Sequence, residues 1–135
     1  NLGLELHRGE LSVLHSGPTS AKMFGIDMKI SPEPSHFIEE GDIIKFGNSS
    51  LSILFTPGHS PGSISFYSEK DQFIIAGDVL FKQGIGRTDL PGGDHNTIIK
   101  SIKQRLLSLP DETLVVPGHG EWTTIYNEKK ANPFL

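Results

Sequence analysis

The sequence predicts one α/β domain built on a mixed β-sheet with covering helices, and three observations carry this prediction. Short apolar runs bounded by glycine, proline or polar turns recur along the chain and indicate at least five strands. One stretch, residues 94–109, has the apolar spacing of an amphipathic helix. No repeat or second block of composition divides the 135 residues, so residues 1–135 are expected to form a single domain.

The beginning of the chain gives weaker signals for secondary structure. Residues 4–7 alternate in polarity and are expected to form a short strand. Residues 9–15 and 19–24 are predicted to form two short helices, because a Gly-Pro pair at 17–18 interrupts the pattern between them. Residues 31–35 are expected to be a loop, since each proline there biases the residue before it away from the helical conformation.

Four strands are expected in the middle of the chain. Residues 43–46 and 51–56 flank a Gly-Asn-Ser-Ser turn and are predicted to pair as a hairpin. Residues 64–67 alternate with serines, which indicates a strand with one face in water. Residues 73–76 are apolar at every position, as expected for a central strand that is covered on both faces.

The strongest helix signal follows these strands. Asp94 can accept a backbone hydrogen bond as an N-cap, and Pro110 ends the helix. One face of this helix is apolar and consists of Ile98, Ile102, Leu106 and Leu109. Residues 114–116 are predicted to be another buried strand, and residues 123–130 a closing helix. Because strands outnumber helices in the first half, a mixed sheet is favoured over a doubly wound parallel sheet.

Three strands are followed by the same kind of ending. His59, Asp78 and His119 each come directly after a glycine that ends an apolar run. A strand fixes the position of such a side chain, and a glycine lets the backbone approach closely. Two imidazoles and one carboxylate are ligands that zinc, iron and manganese accept. We therefore expect these three side chains to converge at one edge of the sheet and to bind metal.

Simpler explanations exist for each of these residues. Pro-Gly is a common turn that an exposed histidine can follow by chance, and an aspartate after a glycine can cap the next segment. The remaining histidines do not follow the strand-glycine pattern and are assigned to the surface or the core; they are His7, His15, His36 and His95. The Gly-Ile-Gly at 84–86 lacks the third glycine of a dinucleotide fingerprint, because position 89 is an aspartate.

Composition narrows the expected partners and location. The net charge of −4 gives no reason to expect nucleic acid or an anionic membrane as a partner. The absence of cysteine excludes disulfides and thiolate metal sites, and it is compatible with a cytoplasmic location, which we predict. No apolar run approaches the roughly 18 residues of a membrane span.

Taken together, the motifs resemble the metallo-β-lactamase superfamily. The matching segments are Thr-Pro-Gly-His-Ser-Pro-Gly-Ser at 56–63, Ala-Gly-Asp-Val-Leu-Phe at 76–81 and Val-Pro-Gly-His-Gly at 116–120. The loop 84–95 and the ending Asn-Pro-Phe-Leu at 132–135 resemble the small bacterial glyoxalase II-like hydrolases of that superfamily. The resemblance covers about residues 4–135 and implies part of an αββα sandwich, a fold classed as α/β or, in some schemes, α+β.

The resemblance also implies roles for single residues. His59 would bind the first of two zinc ions, His119 the second, and Asp78 would bridge both; iron or manganese could replace zinc. Asp78 would thereby hold the hydroxide that attacks a thioester carbonyl. Arg87 occupies a position where glyoxalase II enzymes place a basic residue near the glutathione carboxylates. Those enzymes carry a tyrosine two positions later, where this chain has Asp89, so the thiol carrier stays open.

One motif of the family does not occur in the chain. A His-x-His-x-Asp-His sequence, which in the family precedes these segments and supplies two ligands to each metal, is absent from residues 1–135. We therefore expect an N-terminally truncated domain that binds metal weakly or not at all and is inactive by itself. We also expect an uncovered sheet edge or face, and self-association through it.

Three functional hypotheses follow. The full-length parent is expected to be an enzyme, a metal-dependent hydrolase of small-molecule hydroxyacyl thioesters. An iron-dependent persulfide dioxygenase is the alternative, because that branch of the superfamily shares Thr-Pro-Gly-His and Gly-Arg-Thr-Asp, here at 56–59 and 86–89. The third hypothesis is a non-catalytic, weakly metal-binding fragment.

Overall fold

A six-stranded mixed sheet forms the centre of the fold in the computed structural model, which describes residues 3–135. In chain order the strands are β1 (Glu5–Leu6), β2 (His36–Phe37), β3 (Ile43–Phe46), β4 (Ser49–Phe55), β5 (Ile64–Ser68), β6 (Phe73–Gly77), β7 (Leu80–Phe81), β8 (Gly84–Ile85), β9 (Leu114–Pro117) and β10 (Thr123–Thr124). The central sheet has the order β10-β9-β6-β5-β4-β3, while β1 pairs with β2 and β7 with β8. The predicted α/β class with a mixed sheet is confirmed.

Three helices accompany the sheet. They are α1 (Leu11–Met23), which follows a 3₁₀ turn at Arg8–Glu10; α2 (His95–Ser101), which continues into a π-helical segment at Ile102–Leu106; and α3 (Ile125–Ala131). No helix within residues 3–135 is both long enough and apolar enough to cross a membrane.

Strand direction determines where the chain turns. β4 and β5 are antiparallel, β5 and β6 are antiparallel, and β6 and β9 are parallel. It follows that β4, β6 and β9 all run in the same direction. Their carboxyl ends therefore meet at one edge of the sheet, and the residues that follow these three strands emerge together.

The core lies between one face of the sheet and α2 with its π-helical extension. Ile98, Ile102 and Leu106 are fully buried, and on the sheet side Ile74 and Val115 are fully buried as well. These three helix residues are four positions apart, whereas a regular α-helix has about 3.6 residues per turn. In such a helix their side chains would point in gradually changing directions. The wider π-helical turns offset this drift and keep the apolar side chains facing the sheet. The predicted cap is present, since Asp94 Oδ1 accepts a hydrogen bond of 2.7 Å from Thr97 N.

Several predicted elements differ from the observed ones. The prediction of two helices around 17–18 is wrong, because α1 runs through Pro18 without a break. None of its residues is buried, so water can solvate the carbonyl that Pro18 leaves without a donor. The strand β2 was not predicted, and its partner is the equally short β1. The closing helix begins only at Ile125, because the two threonines before it pair with β9 as β10.

The outer face of the sheet is less covered than its sequence suggests. β6 was predicted to be covered on both faces, and this is wrong: Ile74 and Ala76 are fully buried, but Ile75 between them is 37% exposed. In the sheet register Ile75 lies between Phe66 and Val116, which are half-buried on the same face. Both faces of the strand at residues 73–76 are thus apolar, although helices pack against only one face of the sheet.

We propose that residues 1–135 self-associate through this outer face, since partly exposed apolar side chains in one row favour contact with a second copy. Ile75→Lys places a charge in the centre of the row and should abolish the association. Met23→Lys is the control, because Met23 is 83% exposed at the end of α1 and not on the sheet. Sedimentation velocity over a concentration series measures the effect. A monomer at all concentrations, or dissociation by the Met23 variant alone, would contradict the proposal.

Candidate metal centre

His59, Asp78 and His119 meet at the edge where β4, β6 and β9 end. The Nε2 atom of His59 lies 3.9 Å from Asp78 Oδ2, and the Nε2 atom of His119 lies 3.8 Å from Asp78 Oδ1. Each imidazole therefore faces a different oxygen of the same carboxylate. The structure brings together all three residues that the strand-glycine pattern selects, although 19 and 41 positions separate them along the chain.

The ring of His59 has a defined orientation. Its Nδ1 atom lies 2.9 Å from the backbone carbonyl oxygen of Arg87. A carbonyl oxygen can only accept a hydrogen bond, so Nδ1 carries the proton and donates it. In the neutral imidazole the lone pair is then on Nε2, which is the atom that faces Asp78. An outer hydrogen bond of this kind is how proteins fix the tautomer of a metal-binding histidine.

The backbone before His59 is held by α2. Asp94 N donates to the carbonyl oxygen of Gly58 at 2.8 Å, and Ser101 Oγ donates to that of Pro57 at 2.7 Å. Gly58 has a φ of +131°, and a Cβ atom there would lie 2.3 Å from Ile98 N. Only glycine fits this position, because both the conformation and the close approach to the helix exclude a side chain.

Two other glycines enclose Asp78. A Cβ atom at Gly118 would lie 2.3 Å from Asp78 Oδ1, and one at Gly86 would lie 1.9 Å from the backbone oxygen of Asp78. Gly118 N also donates a hydrogen bond of 2.8 Å to the carbonyl oxygen of Gly77. The glycine before His119 thus sets the distance between the strand that carries Asp78 and the strand that carries this histidine.

The third side chain borders an open pocket. His119 stacks on Phe81 with ring centroids 4.5 Å apart and an interplanar angle of 28°. A pocket of about 300 Å³ adjoins the three candidate ligands and is lined by His59, Asp78, Phe81, Ile85, Gly86, Arg87 and His119. One wall of the pocket is therefore apolar, from Phe81 and Ile85, and the rim carries Arg87.

The side chains fit two cation positions better than one. Zinc binds imidazole and carboxylate atoms at about 2.0–2.2 Å, so two ligands of one ion lie at most about 4.2 Å apart. Both histidine-carboxylate pairs satisfy this limit. Within residues 3–135, no group of three or more His, Asp or Glu side chains closes around one point tightly enough to hold an ion. The chain offers two pairs that share Asp78, and each pair is one ligand short of the three protein ligands of a catalytic zinc.

The facing atoms of His59 and Asp78 would suit a cation. With His59 neutral, these atoms are a lone pair on nitrogen and a carboxylate oxygen, both of which accept hydrogen bonds. Within the described part of the chain, no N–H or O–H group donates a hydrogen bond to the carboxylate of Asp78, whose side chain is 40% exposed. An arrangement of acceptors without donors attracts a positive charge, as a metal ion provides.

Arg87 is already paired at the rim of the pocket. Its Nε and Nη2 atoms donate to the two carboxylate oxygens of Asp89 at 2.8 and 2.7 Å. These hydrogen bonds are the largest cause that lowers the pKa of Asp89 to about 2, and the same contact raises the pKa of Arg87. Asp89 is therefore ionised at physiological pH and offsets the charge that Arg87 would present to a substrate. Both side chains are exposed, so the pair is weak and open to competition.

The other histidines lie away from this centre. His7 stacks on Phe55 at 4.4 Å and accepts a hydrogen bond from Gly9 N, and His15 contacts Glu33 at 3.0 Å. His36 belongs to β2, and His95 is the first residue of α2.

Some contributions to the site carry no sequence signal. The hydrogen bond of His59 is accepted by the backbone carbonyl of Arg87, which any residue type would supply. Phe81 ends an apolar run and is not distinguished from other core residues by its sequence context. Behind the β7–β8 hairpin, the buried Glu128 accepts hydrogen bonds from Gln83 N, Thr123 Oγ1 and Asn132 Nδ2 at 2.9, 2.6 and 2.8 Å. These contacts join distant parts of the chain, which a local pattern does not reveal.

Comparison with known proteins gives a consistent result. A sequence profile of the metallo-beta-lactamase superfamily matches residues 4–119. The chain is 45% identical over 132 residues to the probable metallo-hydrolase YqgX of Bacillus subtilis, covering 96% of this chain and 62% of that protein. It is 44% identical over 124 residues to the hydroxyacylglutathione hydrolase GloC of Haemophilus influenzae, covering 91% of this chain and 58% of GloC.

Solved structures agree with this assignment of the fold. The di-iron-bound form of TTHA1623 superposes with a TM-score of 0.89 at 41% identity, over 99% of this chain and 65% of that one. ETHE1 from Myxococcus xanthus superposes with a TM-score of 0.71 at 30% identity, over 87% of this chain and 55% of that one. The chain thus spans about 60% of the length of the curated relatives given above. It belongs to the metallo-β-lactamase superfamily.

Proposed function

We propose that the full-length protein containing these residues is a metal-dependent hydrolase that cleaves hydroxyacyl thioesters. The observation that carries the proposal is the placement of two histidines on opposite oxygens of Asp78, which suits a pair of metal ions with one shared ligand. Similarity to a hydroxyacylglutathione hydrolase and to a probable metallo-hydrolase supports the reaction class. In this reaction water adds to the acyl carbon, the carbon–sulfur bond breaks, and the sulfur leaves as a thiol.

Each ligand has one proposed task. His59 and Asp78 Oδ2 would hold one ion, and His119 and Asp78 Oδ1 the other, with the remaining ligands supplied from outside residues 1–135. Zinc, iron or manganese, when bound, supplies Lewis acidity and a nucleophile at neutral pH. The hydrogen bond from His59 to the carbonyl of Arg87 keeps Nε2 of the imidazole facing Asp78, where it would hold the ion. Gly86 and Gly118 leave the room that Asp78 needs, because a Cβ atom at either position would collide with its backbone oxygen or its carboxylate.

The pocket beside the ligands would receive the acyl group. Phe81 and Ile85 form its apolar wall, and Arg87 places a positive charge at its rim. A carboxylate on the thiol carrier could pair with that charge. It would have to compete with Asp89, which already accepts two hydrogen bonds from the guanidinium. Which thiol carrier the enzyme accepts is therefore expected to depend on whether the carboxylate of the carrier binds Arg87 more strongly than Asp89 does.

An iron-dependent persulfide dioxygenase is the second candidate. Two observations favour it: Thr-Pro-Gly-His and Gly-Arg-Thr-Asp occur at 56–59 and 86–89, and ETHE1 from Myxococcus xanthus has a similar fold at 30% identity. Metal analysis of the full-length protein separates the candidates. One iron per chain with oxygen uptake on a persulfide supports the dioxygenase. Two metals per chain with release of thiol from a lactoyl thioester support the hydrolase.

The first prediction about the proposed site concerns Gly118. In the full-length protein, Gly118→Ala should weaken metal binding about 10- to 100-fold, because the methyl group would displace Asp78 Oδ1. Asp78→Ala should abolish binding of the second equivalent. Gly84→Ala is the matched control, since a Cβ atom there meets its nearest neighbour only at 3.6 Å. Chelator competition with zinc measures the affinities. Unchanged affinity in the Asp78 variant would refute the proposed ligand set.

The second prediction concerns the ion pair of Arg87 and Asp89 at the rim of the pocket. Asp89→Asn frees the guanidinium of Arg87 and should lower KM for lactoylglutathione about threefold, as expected for a weak exposed pair. Arg87→Ala should raise KM with little change in kcat, because the charge acts on the distant carboxylates of the carrier. Lys82→Ala is the control: Lys82 pairs with Glu121 and does not line the pocket. Equal KM values for all variants would remove Arg87 from the substrate site.

The third prediction concerns the 135 residues by themselves. With added zinc, manganese or iron they should not hydrolyse a lactoyl thioester above background, because each ion receives only two ligands and one of these is shared. The full-length protein assayed in parallel should be active. Turnover by the 135-residue chain that is abolished by Asp78→Ala would show that residues 1–135 already hold a sufficient site.

A further inference from the structure

A carboxylate from the beginning of the chain contacts the turn that follows His59. Oε1 of Glu10 accepts a hydrogen bond from the hydroxyl of Ser60 at 2.5 Å and another from Gly62 N at 2.7 Å. Ser60 Oγ also lies 2.6 Å from Ser63 Oγ, and Ser60 N donates to Ser63 Oγ at 3.2 Å. One oxygen atom therefore receives donors from a side chain and from the backbone of the same turn.

The contact between these segments is close along the backbone too. A Cβ atom at Gly62 would lie 2.6 Å from Glu10 N, and one at Gly9 would lie 3.0 Å from the Cα atom of Gly62. The 3₁₀ turn at Arg8–Glu10 is thus packed directly on the turn after His59. About 50 residues separate the partners in sequence, so the contact is purely tertiary.

The other anchors of this loop act on a different part of it. Asp94 N donates a hydrogen bond to the carbonyl of Gly58, the residue before His59, and the carbonyl of Arg87 accepts one from the imidazole ring. Thr56 N donates to Ser63 O at 2.9 Å and closes the base of the loop. Between His59 and that base, Glu10 is the side chain from elsewhere in the described chain that accepts hydrogen bonds from the loop.

We propose that Glu10 is a positioning residue for the metal centre. By accepting hydrogen bonds from Ser60 and Gly62 it holds the turn in the conformation that directs His59 at Asp78. The inference rests on the proposed function, because it takes His59 to be a metal ligand. Since coupling between sites is reciprocal, metal binding should in turn stabilise the docking of Arg8–Glu10 and the start of α1.

The variants are chosen to separate positioning from general stability. Glu10→Ala removes the acceptor, and Ser60→Ala removes one donor while Gly62 N keeps its partner. Glu10→Gln keeps an oxygen acceptor without the charge and should rescue most of the loss. Glu33→Gln is the matched control, because Glu33 is exposed and, among the side chains of residues 3–135, its carboxylate contacts the ring of His15 and not the turn after His59.

The readouts are zinc affinity and the state of the His59 ring in the full-length protein. In chelator competition, Glu10→Ala should weaken one of two zinc sites about 10-fold, the lower range for the loss of an outer-sphere partner. Glu10→Gln and Ser60→Ala should fall between this variant and the wild type. In the metal-free protein, the Nδ1–H of His59 should exchange faster in Glu10→Ala than in Glu33→Gln, as followed by ¹⁵N NMR of the imidazoles.

The outcomes distinguish the two proposals. If Asp78→Ala leaves zinc affinity unchanged, the proposed metal centre fails, and the exchange of the His59 proton still tests the contact with Glu10. If Asp78→Ala abolishes binding but Glu10→Ala and Ser60→Ala match the wild type in affinity and exchange, the positioning role of Glu10 is overturned. A lower melting temperature with unchanged affinity in Glu10→Ala and Ser60→Ala would also overturn it, since the contact would then be only structural.

Discussion

The shared direction of β4, β6 and β9 is the constraint on which the site depends. A parallel pair between β6 and β9, with β4 two strands away, delivers three carboxyl ends to one edge of the sheet. Because each strand is held by its neighbours, the first residue after each turn has little freedom. Side chains that lie far apart in sequence are thereby placed within about 4 Å of each other without a long loop to carry them.

Glycines at this edge allow the backbone segments that carry His59, Asp78 and His119 to approach each other closely. The strands deliver the ligands, but the separation between Asp78 and His119 is set by how closely the two chains can approach. Gly118 and Gly86 leave no room for a Cβ atom beside Asp78, and Gly58 does the same between the His59 turn and α2. These close approaches lie beside Asp78 and directly before His59, so the positions of the two side chains depend on how closely the backbone packs.

Local patterns in the sequence predict the parts of this arrangement that are local in origin. The strand-glycine-ligand pattern selects His59, Asp78 and His119, and the capping aspartate of α2 stands where the pattern places it. The continuity of α1 through Pro18 and the open face at Ile75 depend instead on what packs against an element. The carbonyl of Arg87 lies 28 positions from its histidine, so no local pattern could indicate that hydrogen bond.

The electrostatics of this edge give a physical reason for the proposed metal centre. A neutral imidazole whose Nδ1 donates to a carbonyl has only a lone pair to offer at Nε2. Beside it stands the carboxylate of Asp78, which receives no hydrogen bond from an N–H or O–H group of residues 3–135. With His59 neutral, two acceptors face each other at 3.9 Å, an arrangement that a positive charge between them would stabilise. By fixing one proton on the far nitrogen, the hydrogen bond to Arg87 leaves the lone pair of the neutral ring at Nε2, where the proposed cation would bind.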